Sequence, residues 1–333
     1  SLLRDRLSAH PMPPTSPTSP GARGRGRAGR QQRAPVSTEP VPTVIYVMGG
    51  RGENGQPLCE CDRLQTKDIL PEWTPAPPML EARWGAAAAT VGGKIYVFGG
   101  YSGGGPLRSA ECFDPSTGEW EALRLMSVAR SHACAAPVGK RPYVCGGYGI
   151  DRCLSSAERY DPETKEWEVL PNMLSPRHDA ASASIGPHLY VFGGADGGSE
   201  PLNTAERFDA KEGTWQEIPP MFMRRLGAAA ASLTGCLYVI SGHNGVEAVN
   251  TAERFVPYQN KWEALPRMKK ARYSGAAAMA LSNDRRQKVF VFGGHDGINR
   301  IGHGEAYEPE TETWTEVVRD MPQVRAAAVA AGI

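Results

Sequence analysis

The chain holds no apolar run near the 18 residues that a membrane-spanning helix needs, so a span is excluded. Residues 1–10 lack the apolar centre of a secretory signal. Charge of one sign is missing too: 37 basic and 36 acidic groups leave a net +1, which argues against a wholly basic nucleic-acid binder. Seven cysteines, at 59, 61, 112, 134, 145, 153 and 236, include no CxxC pair. An odd count in a long chain fits neither a disulfide framework nor a zinc module. They read as reduced thiols, which points to the cytoplasm, with the nucleus as the alternative. GxSxG, HExxH and phosphate-loop motifs are absent, as are paired carboxylates or a Cys/His dyad within one stretch. No enzyme, cofactor or metal is expected on that basis. The chain begins at Ser1, which reads as a processed chain or a fragment.

What is present is glycine and proline, 38 and 28 of them, implying many turns rather than long helices. Residues 1–42 stand apart. PMPPTSPTSP (11–20) and GARGRGRAGR (21–30) cannot bury enough apolar surface to fold, so a disordered tail or linker is expected. Residues 1–40 carry seven Arg and two acids, a net +5. Contact of residues 21–33 with RNA is the functional reading of that tract; a solvated linker is the plainer one.

Residues 43–333 repeat. Apolar stretches end in a glycine pair at IYVMGG (45–50), IYVFGG (95–100), YVCGG (143–147), LYVFGG (189–194) and VFVFGG (289–294), with LYVISG (237–242) as the variant. Trp73, Trp120, Trp167, Trp215, Trp262 and Trp314 keep the same beat. Between them come SAECFDP (109–115), SAERYDP (156–162), TAERFDA (204–210), TAERFVP (251–257) and GEAYEP (304–309). An Arg followed by small residues precedes each glycine pair but the first, and a sixth follows the last pair: Arg83, Arg130, Arg177, Arg225, Arg272 and Arg325. Each unit of about 48 residues thus offers four short strands: a (Arg and small residues), b (glycine pair), c (Glu) and d (Trp). Four strands per unit repeated radially make a β-propeller. The c element of unit one, near 58–66, is not recognisable. The first b stretch has no a before it, and MPQVRAAAVAAGI (321–333) is an a without its b. Six blades balance only if the C-terminal strand joins the N-terminal blade, which also removes open edges. The alanine runs 86–89, 228–231 and 276–278 favour helix by propensity. They are too short to nucleate one, and small residues suit the crowded axis, so strands are expected there.

These motifs resemble the kelch-repeat family over residues 43–333, and in particular the six-bladed propellers of kelch-like substrate adaptors. The resemblance implies a protein-interaction module, the recognition part of a ubiquitin-ligase adaptor. Docking a cullin-type ligase would require BTB and BACK domains upstream. Actin binding and a sugar epimerase-like activity are the other functions found on kelch propellers. The glycine pair, the Trp and the Asp-Pro turns read as structural, and the repeated Glu (111, 158, 206, 253 and 305) is expected to form buried bridges with the six Arg.

Alternating strand direction puts the residue after each glycine pair and the residue after each Arg on one face. The first set is Arg51, Tyr101, Tyr148, Ala195, His243 and His295; the second is Trp84, Ser131, His178, Leu226, Tyr273 and Ala326. Unlike the repeated positions, these differ from unit to unit, as loops tuned to one partner would. By resemblance, contact with a partner peptide falls to Trp84, Tyr101, Ser131, Tyr148, His178, His243, Tyr273 and His295. Behind them stand Arg83, Arg130, Arg177, Arg225, Arg272 and Arg325, whose guanidiniums would suit an acidic segment. His132, His178, His243 and His295 are the one group that suggests a metal. The basic turn LSNDRRQK (281–288), on the opposite face, reads as a solvated insertion.

Overall fold

The computed structural model describes residues 41–198, 200–317 and 319–333; the expectations for residues 1–40 lie outside them. Six four-stranded antiparallel sheets form the blades, each ordered a–b–c–d. Blade 1 is Val329–Gly332, Val44–Met48, Cys61–Gln65 and Trp73–Ala76. Blade 2 is Ala87–Val91, Lys94–Phe98, Ala110–Asp114 and Glu119–Ala122. Blade 3 is Cys134–Val138, Arg141–Cys145, Ala157–Asp161 and Glu166–Leu170. Blade 4 is Ala181–Ile185, His188–Phe192, Ala205–Asp209 and Thr214–Ile218. Blade 5 is Ala229–Leu233, Cys236–Ile240, Ala252–Val256 and Lys261–Leu265. Blade 6 is Ala276–Leu281, Gln287–Phe292, Gly304–Glu308 and Thr313–Glu316.

The ring closes as the strand count requires. Val329–Gly332 pairs with Val44–Met48, setting Val47 opposite Ala330. The alanine runs are strand a of their blades. Their residues alternate between buried and half-exposed, so one set packs into the blade and the other lines the axis. Each strand a starts four residues past its Arg, so the Arg belongs to the connection ahead of the strand rather than to the strand itself. Unit one has a c strand after all, Cys61–Gln65, with Asp62 at the position of the repeated Glu.

Two rings of hydrogen bonds join the blades. On the outside, each Trp donates its indole N–H to a carbonyl of the preceding blade's last connection: Trp120 to Pro77 at 2.9 Å, Trp167 to Arg124 at 2.8 Å, and so round to Trp73 on Arg319 at 3.1 Å. Trp167 also meets Phe98 of blade 2 edge-on at 5.5 Å, filling the widening gap between sheets. On the inside, the second residue after each Arg donates its N–H to its counterpart in the preceding blade. His132 gives to Gly85 at 2.6 Å, Asp179 to His132 at 2.8 Å, Gly227 to Asp179 at 2.9 Å, and Ser274 to Gly227 at 2.7 Å. Ala327 gives to Ser274 at 2.8 Å and Gly85 to Ala327 at 2.9 Å, which completes the circle. All six sit in the left-handed region, with φ from 51° to 61°. Four of them are not glycine, a conformation held only because the ring over-determines it.

The first glycine of each pair answers to a close approach. At Gly99, φ is 58° and a Cβ would lie 2.2 Å from the Arg130 carbonyl oxygen of the next blade. A repeated methionine, not among the motifs singled out above, packs there as well. Met79, Met126, Met173, Met221, Met268 and Met321 each sit four residues before the Arg and are at most 5% exposed.

Candidate functional site

The expected face exists as a set of six matched pairs. Just beyond strands a and b, Arg51 bridges Ala326, Trp84 bridges Tyr101, and Ser131 bridges Tyr148. His178 bridges Ala195, Leu226 bridges His243, and Tyr273 bridges His295. One backbone geometry thus carries twelve side chains of seven kinds around the axis, in a combination that differs from pair to pair. Within this set, Ser131, Ala195 and Ala326 are buried, whereas Tyr148 is 40% exposed. Aromatic planes meet both within a blade and across to the next: Trp84 lies 5.3 Å from Tyr101 of its own blade and 4.9 Å from His132 of the following one. Tyr273 stands between His243 and His295, at 5.4 and 5.3 Å, and His178 is edge-on to Tyr148 at 5.7 Å.

The histidines present defined hydrogen-bonding edges. Nδ1 of His243 accepts from the Gly245 N–H at 3.1 Å, and Nδ1 of His295 accepts from Gly297 at 3.0 Å. A neutral ring so held carries its proton on Nε2 and keeps it as a donor. His178 Nδ1 instead donates to Asp179 Oδ2 at 2.9 Å, which leaves Nε2 as an acceptor. Among the described residues no three His, Cys, Asp or Glu side chains are grouped as metal ligands, so the four histidines do not come together as a centre. All seven cysteines are free thiols; burial pushes Cys61 up to about 12 and Cys134 up to about 11, away from nucleophilic use.

The six arginines require a correction. Arg83, Arg130, Arg177, Arg225, Arg272 and Arg325 are at most 2% exposed and cannot touch a partner. Each turns inward to a carboxylate of its own blade: Arg83 to Glu111 at 2.6 Å, Arg130 to Glu158 at 2.8 Å, Arg177 to Glu206 at 2.7 Å. Arg225 meets Glu253 and Arg272 meets Glu305, both at 3.0 Å, while Arg325 takes Asp62 at 2.6 Å. A second amino group of each donates to the carbonyl that follows strand b, as Arg130 does to Gly146 at 2.7 Å. The other oxygen of each Glu accepts a backbone N–H from the connection arriving from the preceding blade, such as Leu174 on Glu206 at 2.8 Å. Burial lowers the pKa of Arg225, Arg272 and Arg325, and their carboxylate partners pull it back. The arginines therefore position the contact loops. Five of the expected Arg–Glu bridges are present, each within one blade, and the sixth arginine takes an Asp.

Two other arginines, left out of the expected contact set, do reach the face. Arg51 lies with its guanidinium 5.3 Å from the centre of the Trp84 ring. Arg300 ends the same loop of blade 6 that begins with His295, which it bridges. Both line a cavity of about 230 Å³ together with Trp84, Tyr273 and His295. Arg51 was visible as the residue after a glycine pair, but Arg300 lies outside the two repeated slots and gave no periodic signal. Aliphatic loop tips were missed for the same reason: Ile150, Val246 and Ile298 are 83–88% exposed. On the opposite face the basic turn is answered locally, Lys288 pairing with Asp284 at 2.9 Å and Arg286 pairing with Glu308.

The repeat geometry agrees with comparison to known proteins. The family model described as the KLHDC2/KLHL20/DRC7 Kelch-repeats domain matches twice, over residues 18–178 and 171–331. The chain belongs to the kelch-repeat family. Mouse Kelch-like protein 23 is 42% identical over 81 residues, 23% of this chain and 13% of its own length. Kelch repeat and BTB domain-containing protein 8 of Xenopus tropicalis is 32% identical over 90 residues, 24% of this chain and 15% of its own. These matches span about an eighth to a seventh of the relatives. Among solved structures, one titled "Structure of YjhT" superposes with a TM-score of 0.68 at 14% identity, covering 86% of this chain and 99% of that one. At that identity the likeness concerns the fold. A kelch propeller with a varied, loop-built face is consistent with a protein-interaction module, and no described helix is long and apolar enough to cross a membrane.

Proposed function

We propose that this kelch propeller binds a segment of a partner protein across the face made by the b–c loops and the d–a connections. The observation that carries the reading is the set of six bridged pairs: one invariant backbone frame with side chains that differ in every blade. Loops held by a rigid scaffold are the usual seat of binding, and tyrosine, tryptophan and arginine supply most interface energy. Trp84, Tyr101, Tyr148, His178, His243, Tyr273 and His295 are the contact residues, with Ser131 as the buried backbone partner of Tyr148. The acidic character expected of the partner now rests on Arg51 and Arg300 instead of the buried arginines. A relative named for a BTB domain beside kelch repeats, and an Arabidopsis thaliana F-box/kelch-repeat protein, support reading the propeller as the recognition half of a ubiquitin-ligase adaptor.

An affinity pull-down would compare the intact chain with a variant carrying Tyr101→Ala, Tyr148→Ala and Tyr273→Ala, both shown to melt cooperatively. A partner recovered by the intact chain and reduced about tenfold or more by the variant is the expected result. Equal recovery by both would reject this face.

A further inference from the structure

Resting on that reading of the face, we infer that Arg51 and Arg300 form a carboxylate slot spanning the seam between blades 1 and 6, so that an acidic segment bound there tightens the closure of the ring. The slot is built from both ends of the repeat array. Arg51 follows strand b of blade 1, and its backbone pairs with Ala326, which leads into the closing strand: Arg51 N donates to Ala326 O at 2.8 Å. Arg300 belongs to blade 6 and reaches across to the carbonyl of Glu53 in blade 1 at 3.4 Å.

Among the described residues neither guanidinium is spent on a carboxylate. Among the described residues Arg51 uses only its Nε, on the Gly55 carbonyl at 2.9 Å, and keeps its terminal amino groups free beside Trp84. Arg300 Nε is buried without an acceptor among the described residues. A buried donor lacking a partner is a standing cost that an incoming oxygen removes. The neighbouring His295 adds an Nε2–H donor. Asp179 lines the same cavity, but its Oδ2 is held by His178. Two cations against one occupied carboxylate leave an excess of one positive charge, which suits a single carboxylate gripped between two forks. At about 230 Å³ the cavity is smaller than a small-molecule pocket and takes one side chain. Ile298, exposed two residues before Arg300, offers an aliphatic neighbour to the residue beside the acid.

The seam is where such a ligand has leverage. A group that binds the closed ring better than the open one stabilises closure in proportion to its occupancy. A carboxylate bridging Arg51 and Arg300 touches blades 1 and 6 at once and exists as a ligand only while they are together.

The test selects random displayed peptides on the intact chain, with a parallel selection on the Arg51→Gln, Arg300→Gln variant. The best wild-type peptide is then compared with its own amide form (Glu→Gln or Asp→Asn) for affinity, and for hydrogen exchange of Val329–Gly332. Expected are enrichment of an acid at one position by the intact chain alone, about tenfold weaker binding of the amide form, and slower exchange of the closing strand only with the acidic peptide. Because the amide peptide is tested on the unaltered protein, a misfolded variant does not blur the result. Peptides selected without acid dependence would overturn the slot and leave segment binding standing. Acid-dependent binding with unchanged exchange would overturn the coupling to closure. No selected peptide at all would overturn segment binding, and the slot with it.

Discussion

Five of the six junctions between blades share one clamp, and the sixth differs. From blade 2 to blade 6 a buried Glu places one oxygen on the Arg and the other on a backbone N–H of the incoming connection: Leu80, Ser127, Leu174, Phe222 or Lys269. At the seam, where blade 6 returns to blade 1, the residue in the Leu80 position is Pro322, which has no N–H to give. The carboxylate there is the shorter Asp62, which among the described residues meets Arg325 alone. The backbone donor is missing there, and the shorter carboxylate keeps its bond to Arg325 without leaving its other oxygen buried and unpartnered. The difference teaches that the repeated Glu ties down the connection as well as neutralising the arginine, and that the seam dispenses with the first task.

The largest effect should separate those tasks. Glu158→Gln removes one partner of a fully buried pair and should cost about 3–5 kcal/mol in chemical denaturation. Asp62→Asn should cost less than half as much, because burial holds the Asp62 pKa above its usual value, with Arg325 only partly offsetting this. Equal losses would erase the distinction between seam and junction. An intermediate effect concerns opening. Native-state hydrogen exchange should find Val329–Gly332 the least protected of the six inner strands, and uniform protection would show the seam to be as firm as the rest.

The smallest effect is one of pH, and it has opposite signs on the two sides of the seam. Asp62 has a raised folded pKa, so its stabilising contribution is full below about 3.8 and fades as pH rises through the folded value. In blade 6, His303 stands where the other clamps have Ser or Thr, and its Nδ1 accepts from Arg272 at 3.1 Å. Burial lowers its pKa, Arg272 and Lys270 lower it further, and Glu305 and Asp320 act the other way; Glu316 faces its Nε2 at 3.6 Å. Its contribution is full above about 6.5 and is lost as pH falls through the lowered folded value. Mild acid should therefore loosen Gly304–Glu308 by at most about 1 kcal/mol, and His303→Thr should abolish that response while leaving neutral stability intact. Exchange rates at the two pH values check it.

Much of this architecture is legible in the order of residues alone. Glycine pairs and tryptophans at one beat set the blade count, and the unmatched stretches at residues 43–50 and 321–333 set the closure. The Arg–Glu bridges follow because an Arg just ahead of one apolar strand and a Glu within another, repeating together, must neutralise each other. The c strand of blade 1 stays hidden because the clamp tolerates Asp where Pro322 removes the second donor, so the motif dissolves together with its reason. The arginines' placement at the contact surface came from resemblance, whereas their burial depends on which way a side chain turns at a connection, which spacing does not reveal. Arg300 and the aliphatic loop tips are contributions of single blades, and recurrence carries no trace of what occurs once.

The inner circle of hydrogen bonds has a consequence for how sequence change is tolerated. A linear array of repeats needs atypical units at its two ends to cover the faces left without neighbours. Here the six bonds run head to tail without a first or last member, so every blade is an interior one and none is reserved for capping. The residues bearing those bonds contribute through their backbone, and glycine, histidine, aspartate, serine and alanine all occupy the same place. Side-chain identity at the axis is thereby released from the task of holding the molecule together, and each blade can drift at its mouth independently of the other five.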